Sequence, residues 1–560
     1  MTLAFEFTYL SHNGVLEAIL KEICEDFSIK YTILHEQNHV VLYVEDTKEQ
    51  LGQFADYLGQ FLPLSVFFKS SSVYVADTFP LAVEEILPST LPITFTPKRL
   101  YKSEASDAAE YLLPSINFQK NHDRLSFKSS TKNLEAFDAP SLNKLYDDVA
   151  NALCEGECIT MYVDDEAYVL GRVEAIYQFQ EIKESEIIAT DLSVVERMVV
   201  IRENEIKALA TLERPAILCK VNAFYAQKNI LPMQRVWLRL SDGLWMHHVC
   251  KRLFAKGVQF LFKMPLQSLM PTDAILKSST NLAAAKPFRI CVLENGEIMI
   301  LQGTHFATKA LAENRQKFDE PSHATFASIM QEHQLFESKV SCFYLSMTHD
   351  DAIMNYSKEH GMLDLTHVGL PASFNALFEE IANSSKSAAR LIEHYKEQYF
   401  DIYQNALNTP IPIDSSKSIF TLWKMVAIVL GLSKEWTNGG RSLIEYAEDF
   451  GGQKGPRIDY FLQKEDALVA DLDYVRLIRS GISFKLAGTD DATLSFGYMQ
   501  SLAYFISDMS DHYKESLENE SIALAGSLFG CRRLSEMVYK NLKPNHRICF
   551  NLELPIDRDI

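Results

Sequence analysis

Residues 3–69 switch between two apolar periods, and the order of the switches limits what they can build. LAFEFTYL, KYTILH and HVVLYVE place apolar side chains at every second position, the period of a strand, whereas Val15–Phe27 and Lys48–Phe61 repeat them every three to four residues, the period of a helix. The second and third strands part near Gln37 and Asn38, and LSVFFK supplies a fourth. The resulting βαββαβ order predicts a four-stranded antiparallel sheet with helices on one face, a ferredoxin-like sandwich over residues 1–78.

At 560 residues the chain is much longer than one hydrophobic core supports, so three or four domains are expected. Residues 79–140 contain Pro80, Pro88, Pro92, Pro97 and Pro114, which interrupt regular structure and mark a connecting module. From Ser141 a helical stretch, SLNKLYDDVANALCEG, runs into a strand, ECITMYV, and α/β alternation continues to about 285. PFRICVLENGEIMILQG then carries the Asn295–Gly296 signal of a tight hairpin and opens a last region, 286–560. That region holds a strand (KVSCFYLSM), several long helices and a late strand–turn–helix unit, IALAGSLFGCRRLSEMVYKNL. The expectation is a multidomain α/β (α+β) protein without internal repeats.

Lys and Arg number 54 against 74 Asp and Glu, a net charge of −20, which repels nucleic acid in the absence of a segregated basic surface. The longest nearly unbroken apolar run, Phe420–Leu432, includes Lys424 and is too short to cross a bilayer. MTLAFEFTYLSHNG lacks the pattern of a secretory signal, so a soluble cytoplasmic protein is expected. Nine cysteines occur with no CxxC, which argues against a disulfide framework or a four-thiolate zinc site. Cys154 and Cys158 approach each other most closely in sequence, either as metal ligands or as ordinary half-buried thiols; the missing second pair favours the thiols.

Four blocks, in order, resemble the HypF-type carbamoyltransferases of nickel-iron hydrogenase maturation, whose members carry an acylphosphatase domain, a zinc-finger module, a YrdC-like domain and a Kae1-like domain of the actin-like ATPase type. FTPKRLYKSE and YLLPSINFQKNHDR lie where that family has zinc knuckles, but Thr96, Arg99, Phe118 and Asn121 stand at the ligand positions. None supplies sulfur or imidazole, so no structural zinc is expected. In SHNGVLEAI, Glu17 falls near the arginine with which acylphosphatases hold phosphate, and a carboxylate there repels that ligand; His12 and Asn13 remain as candidate contacts or as a solvated loop.

MVVIRENEIKALATLERPAILCK resembles the segment leading into the YrdC-like RPIVLL strand, with Arg214, Pro215, Ala216, Ile217, Leu218 and Cys219 at the match. ITMYVDDEAYVLG is acidic where the family is rich in glycine and lysine, so Asp164, Asp165 and Glu166 oppose a triphosphate. ESKVSCFYLSMTHDDAIMNYSKEHG resembles a family strand and helix, with Thr348, His349 and Asp350 at the polar turn. In LDLTHVGLPASF only His367 survives of the family's metal histidines.

LNTPIPIDSSKSIFTLWKMVAIVLGLS and IALAGSLFGCRRLSEMVY resemble the last two family motifs, the second with Cys531 in place of an asparagine. The resemblance implies nucleotide contacts at Ser415, Ser416, Gly439, Gly526 and Ser527, and a divalent metal at His367 and Asp557. Ala525, Gly526 and Ser527 are small enough for a phosphate to reach backbone N–H groups, and equally suit ordinary α/β packing. Two functions therefore stand. One is an active transferase that uses ATP and carbamoyl phosphate to carbamoylate a HypE-type cysteine for cyanide ligand synthesis. The other is an inactive relative that binds maturation partners, which the lost cationic and imidazole groups favour.

Overall fold

The computed structural model describes residues 1–36, 38–80, 96–104, 116–120, 139–163, 166–179, 185–228, 230–266, 274–278, 287–304, 306–463 and 469–558. They divide into two compact units, Met1–Val292 with Gln302–Thr308, and Leu293–Leu301 with Lys309–Ile560. Both are mixed α/β, so the chain is a multidomain α/β protein.

In the first unit, strands Thr2–Tyr9, Lys30–Glu36, His39–Glu45 and Phe68–Ala76 form the expected antiparallel sheet, with Thr2–Tyr9 between the third and fourth strands. Helices Val15–Phe27 and Lys48–Phe61 match the sequence periods to the residue. The fourth strand does not: LSVFFK suggested 64–69, yet the strand begins at Phe68 and runs through SSSVYVA. Val66 and Phe67 are apolar because they are buried in a loop held by other chain segments. Leu212 donates its N–H to the Leu64 carbonyl, and the Glu213 carboxylate accepts Ser65 Oγ at 2.5 Å and the Val66 N–H at 3.0 Å. A buried carboxylate thus staples the small sandwich to the neighbouring layer.

Of the connector, helix Pro97–Glu104 is described, with Thr96 buried ahead of it and Lys98 Nζ donating to the Glu22 carbonyl and pairing with Asp26. Asn121 lies outside the described residues, as do Asp164 and Asp165. Strand Ile116–Lys120 pairs with Ala274–Ser278, at the edge of a larger mixed sheet. That sheet continues through Ile159–Val163, Glu166–Arg172, Phe260–Pro265, Glu186–Ala189, Arg235–Arg239, Ala216–Val221 and Arg289–Val292. Helices Ala139–Cys154 and Leu244–Ala255 cover it through Leu145, Val149, Leu153, Trp245, Val249 and Leu253, packed on Ile159, Leu170 and Leu261. Each such buried side chain contributes roughly 1.5–3 kcal/mol.

In the second unit, Asn295–Gly296 forms the expected turn: Gly296 has φ 85°, which glycine adopts without strain, and its N–H reaches the Leu293 carbonyl at 2.9 Å. The sheet here runs in the order Leu462–Gln463, Ala470–Leu472, Gly361–His367, Ala352–Ser357, Val340–Tyr344, Ser521–Ala525, Arg547–Cys549. Val340–Tyr344, Ser521–Ala525 and Arg547–Cys549 are mutually parallel. Ala352–Ser357, within the block that resembles a family strand and helix, is a strand antiparallel to Val340–Tyr344. Its alternating Ile353, Asn355 and Ser357 against Met354 and Tyr356 fit the pleat of a sheet. Helix Pro321–Glu332 packs Phe326, Ile329 and Met330 onto Val340, Cys342, Ala523 and Cys549. The apolar run becomes helix Ile419–Leu430, nearly all of it buried, and no helix among the described residues is long and apolar enough to cross a membrane.

Candidate functional site

Parallel strands Val340–Tyr344 and Ser521–Ala525 end level with each other, Tyr344 opposite Ala525. Beyond them the chain leaves the sheet, and on the far side of Val340–Tyr344 the next strand runs antiparallel. This is the carboxyl-end crevice in which open α/β sheets hold ligands. Gly526 makes the crevice tight: it has φ 95°, and a Cβ on it would stand 2.1 Å from the Leu345 carbonyl oxygen. Only glycine lets the two loops approach so closely.

Three of the residues that the resemblance assigns to nucleotide or metal, Gly526, Ser527 and Asp557, meet here. Asp557 Oδ2 accepts the Ser527 backbone N–H at 2.8 Å, and the Gly526 N–H donates to the Ile556 carbonyl at 2.6 Å. Tyr344 and Ser346, not picked out from sequence, and His349 of the polar turn complete the group. Ser346 Oγ donates to Asp557 Oδ2 at 2.6 Å, Tyr344 O–H donates to Oδ1, and His349 Nδ1 lies 3.4 Å from Oδ1. Ser527 Oγ in turn accepts the Met347 N–H at 2.8 Å. Burial pushes the Asp557 carboxyl up, but hydrogen bonds from His349, Ser346, Tyr344 and Ser527 outweigh it and bring the group down to about 2. Burial and the facing carboxylate push the Tyr344 phenol up, so Tyr344 stays a donor.

Ser415 and Ser416 sit one step away. Asp350 Oδ1 accepts the Lys417 N–H and Asp351 accepts those of Ser346 and Ile419, which ties the loop after Tyr344 to the start of helix Ile419–Leu430. Ser416 Oγ lies 3.0 Å from Ser418 Oγ and 3.2 Å from Thr421 Oγ1, within the cap of that helix. Burial drives the Asp351 carboxyl well up. Gly439 starts helix Gly439–Asp449 and lies where a Cβ would come within 2.9 Å of the Lys424 carbonyl, a helix crossing. His367 ends strand Gly361–His367 on the surface, opposite Asp471, with strand Ala352–Ser357 between its strand and Tyr344.

A divalent metal fits this donor set poorly. Both Asp557 oxygens already take N–H or O–H donors, and among the described residues no three His, Cys, Asp or Glu side chains are grouped to hold a metal ion. The Gly526 and Ser527 N–H groups that would greet a phosphate are likewise engaged within the chain.

In the first unit, the loop Ser11–Gly14 leads into helix Val15–Phe27, with Asn13 Oδ1 accepting the Val15 N–H and Asn13 Nδ2 donating to the Phe306 carbonyl. Glu17 is buried in the first turn, 2.5 Å from His35 Nδ1, and the His12 ring stacks on His35 at 4.4 Å. Burial first, then His35, lowers the His12 pKa. His35 carried no signal in the sequence, because its partner lies 18 residues away on another element.

The larger sheet also collects cations that looked absent from its first strands. Arg239 pairs with Glu186 at 2.9 Å and with Asp242 at 3.4 Å, Lys263 with Asp242 at 3.4 Å, and Arg289 with Glu186 at 3.5 Å. Burial pushes both carboxyls up, but the cations overcome it and both end lowered. These charges come from scattered strands, so no local motif announces them.

No family model matches the chain. Protein HydE of Wolinella succinogenes is 24% identical over 567 residues, covering all of both chains. Among solved structures, full-length HypF in its phosphate- and nucleotide-bound form superposes with TM-score 0.60 and 11% identity over 99% of this chain and 96% of its own. T. kodakarensis HypF gives TM-score 0.61 and 11% identity over 98% and 96%. The chain has the HypF fold along nearly its whole length.

Proposed function

We propose that this protein serves hydrogenase maturation as a HypF-like scaffold in the cytoplasm that binds a maturation partner of the HypE type without transferring a carbamoyl group. In this reading residues 1–78 are the acylphosphatase-like domain, 79–140 the connector without zinc ligands, 141–285 the YrdC-like domain and 286–560 a shortened Kae1-like domain. The observation that carries it is the state of Asp557: the carboxylate that would face a metal is bonded to Ser346, Tyr344 and Ser527 of its own unit. Glu17 supports it, because a buried carboxylate paired to His35 occupies the helix start where a phosphate would need a cation. The −20 charge fits a protein partner better than nucleic acid.

The test is AMP formation or pyrophosphate release from ATP with carbamoyl phosphate, with and without a HypE-type partner. Rates at the blank level, with the partner retained in a pull-down, support the scaffold. Robust turnover establishes the alternative, an active carbamoyltransferase, and a pull-down that recovers no maturation protein removes the binding role.

A further inference from the structure

The four-stranded sheet of the first unit has two edges, and they differ in how they are guarded. Strand Lys30–Glu36 forms one and strand Phe68–Ala76 the other. The first carries Lys30, His35 and Glu36. Lys30 pairs with Glu45 at 2.5 Å and stands 4.3 Å over the Phe79 ring. Charge of this kind keeps the open N–H and C=O groups of an edge from recruiting another strand. The second edge has no such guard. From Ser70 to Ala76 it contains neither a charged residue nor a proline, and among the described residues no strand pairs with its outer side. Val73 and Val75 lie opposite Phe5 and Leu3, on the face where Phe54 packs on Phe5, yet they are 57% and 63% exposed. Ser70 and Ser72 on the other face turn inward, donating to Thr8 Oγ1 at 3.0 Å and Glu6 Oε2 at 3.3 Å. An uncharged, partly apolar edge of this length is a template for a further strand.

We propose that the strand that adds to it is Phe68–Ala76 of a second copy of this chain, paired antiparallel about a twofold axis at Val73. Directly opposed residues of an antiparallel pair share a face, so a twofold between identical strands sets one residue against itself. Ser72, Val73 and Tyr74 stand at the middle of the edge, and the charges at its two ends choose among them. Lys69 lies at the bulge near the start of the strand and Asp77 just past Ala76, both exposed. Centred on Val73, Lys69 falls opposite Asp77 of the second copy, and Asp77 opposite its Lys69. Centred on Ser72, they would face Val75 and Phe67; centred on Tyr74, Phe79 and Ser71. Only the Val73 register pairs the opposite charges. It also sets a serine against each larger side chain, Ser71 against Val75 and Ser72 against Tyr74, with Val73 on Val73 at the axis. Two copies of a chain carrying −20 repel over most of their surface, so a neutral seam with an ion pair at each end is where they meet. A single strand pair covers less than the roughly 1,200 Å² of a standard interface, so the dimer is weak and concentration-dependent. It is independent of the crevice at Asp557 and of the maturation role.

Sedimentation velocity of the full chain from about 1 to 100 µM tests it. The mass should rise with concentration from 63.7 kDa towards twice that value. Val73→Lys, which brings two ammonium groups together at the axis, should leave a monomer. Lys69→Glu and Asp77→Lys should each weaken association about tenfold, and the double variant should restore it. All three side chains are exposed, so thermal melting of each variant should match the parent. A chain that stays monomeric throughout, a dimer that survives Val73→Lys, or a double charge variant no better than the single ones overturns the proposal. A monomer whose Phe68–Ala76 amides gain exchange protection only when a maturation protein is added also overturns it, and gives the edge to that protein.

Discussion

Ser346 Oγ donates to Asp557 Oδ2 at 2.6 Å, joining the loop after one parallel strand to a segment 211 residues further along the chain. Tyr344 and the Ser527 N–H complete the same contact, so the charge expected to face a metal instead locks two loops together.

Asp557→Asn should therefore act on stability. Its folded carboxyl lies at about 2 against an ordinary 3.8, so its contribution is present above 3.8 and is lost as pH falls towards 2. The shift corresponds to on the order of 2 kcal/mol. Urea midpoints at pH 7 and pH 3 should show the variant weaker at both, with the gap at pH 3 about half that at pH 7; equal midpoints at pH 7 would show that the lock contributes nothing.

Gly526→Ala should be among the most damaging single changes, costing at least ~3 kcal/mol, because the new methyl meets the Leu345 carbonyl and the backbone sits at positive φ. Gly361→Ala also sits at positive φ but meets no atom within 4 Å, so it should cost only about 1 kcal/mol. Thermal melting of the pair separates steric approach from backbone strain.

Glu213→Ala should free the loop Leu64–Phe67. The Val66 N–H and Ser65 hydroxyl lose a buried acceptor, at a cost of about 1–3 kcal/mol. Exchange of the Val66 amide should accelerate while the Leu42 amide, in the middle strand His39–Glu45, keeps its protection. Unchanged Val66 exchange would mean the staple does not hold the loop.

The sequence revealed the elements whose apolar period is continuous. Val15–Phe27 and Lys48–Phe61 were legible because one face is buried and the other wet. Phe68–Ala76 was not, since most of its residues are exposed and serine carries no strand signal, while the buried Val66 and Phe67 imitated one. At the site, Gly526 and Ser527 could be named from a strand–turn–helix pattern and Asp557 from its resemblance. Their shared partners Tyr344 and Ser346 could not, and His349 was legible only as part of a polar turn, because these contacts join residues some 180 to 210 positions apart and periodicity reports only local order.

On the proposed scaffold function, the crevice beside Gly526 is closed by Asp557 and takes no metal–nucleotide pair. Titration of the full chain with manganese and ATP, followed by water-proton relaxation in the parent and in Asp557→Asn, tests it directly. The account predicts no tight manganese site that depends on Asp557; a micromolar site in the parent that disappears in Asp557→Asn would contradict it.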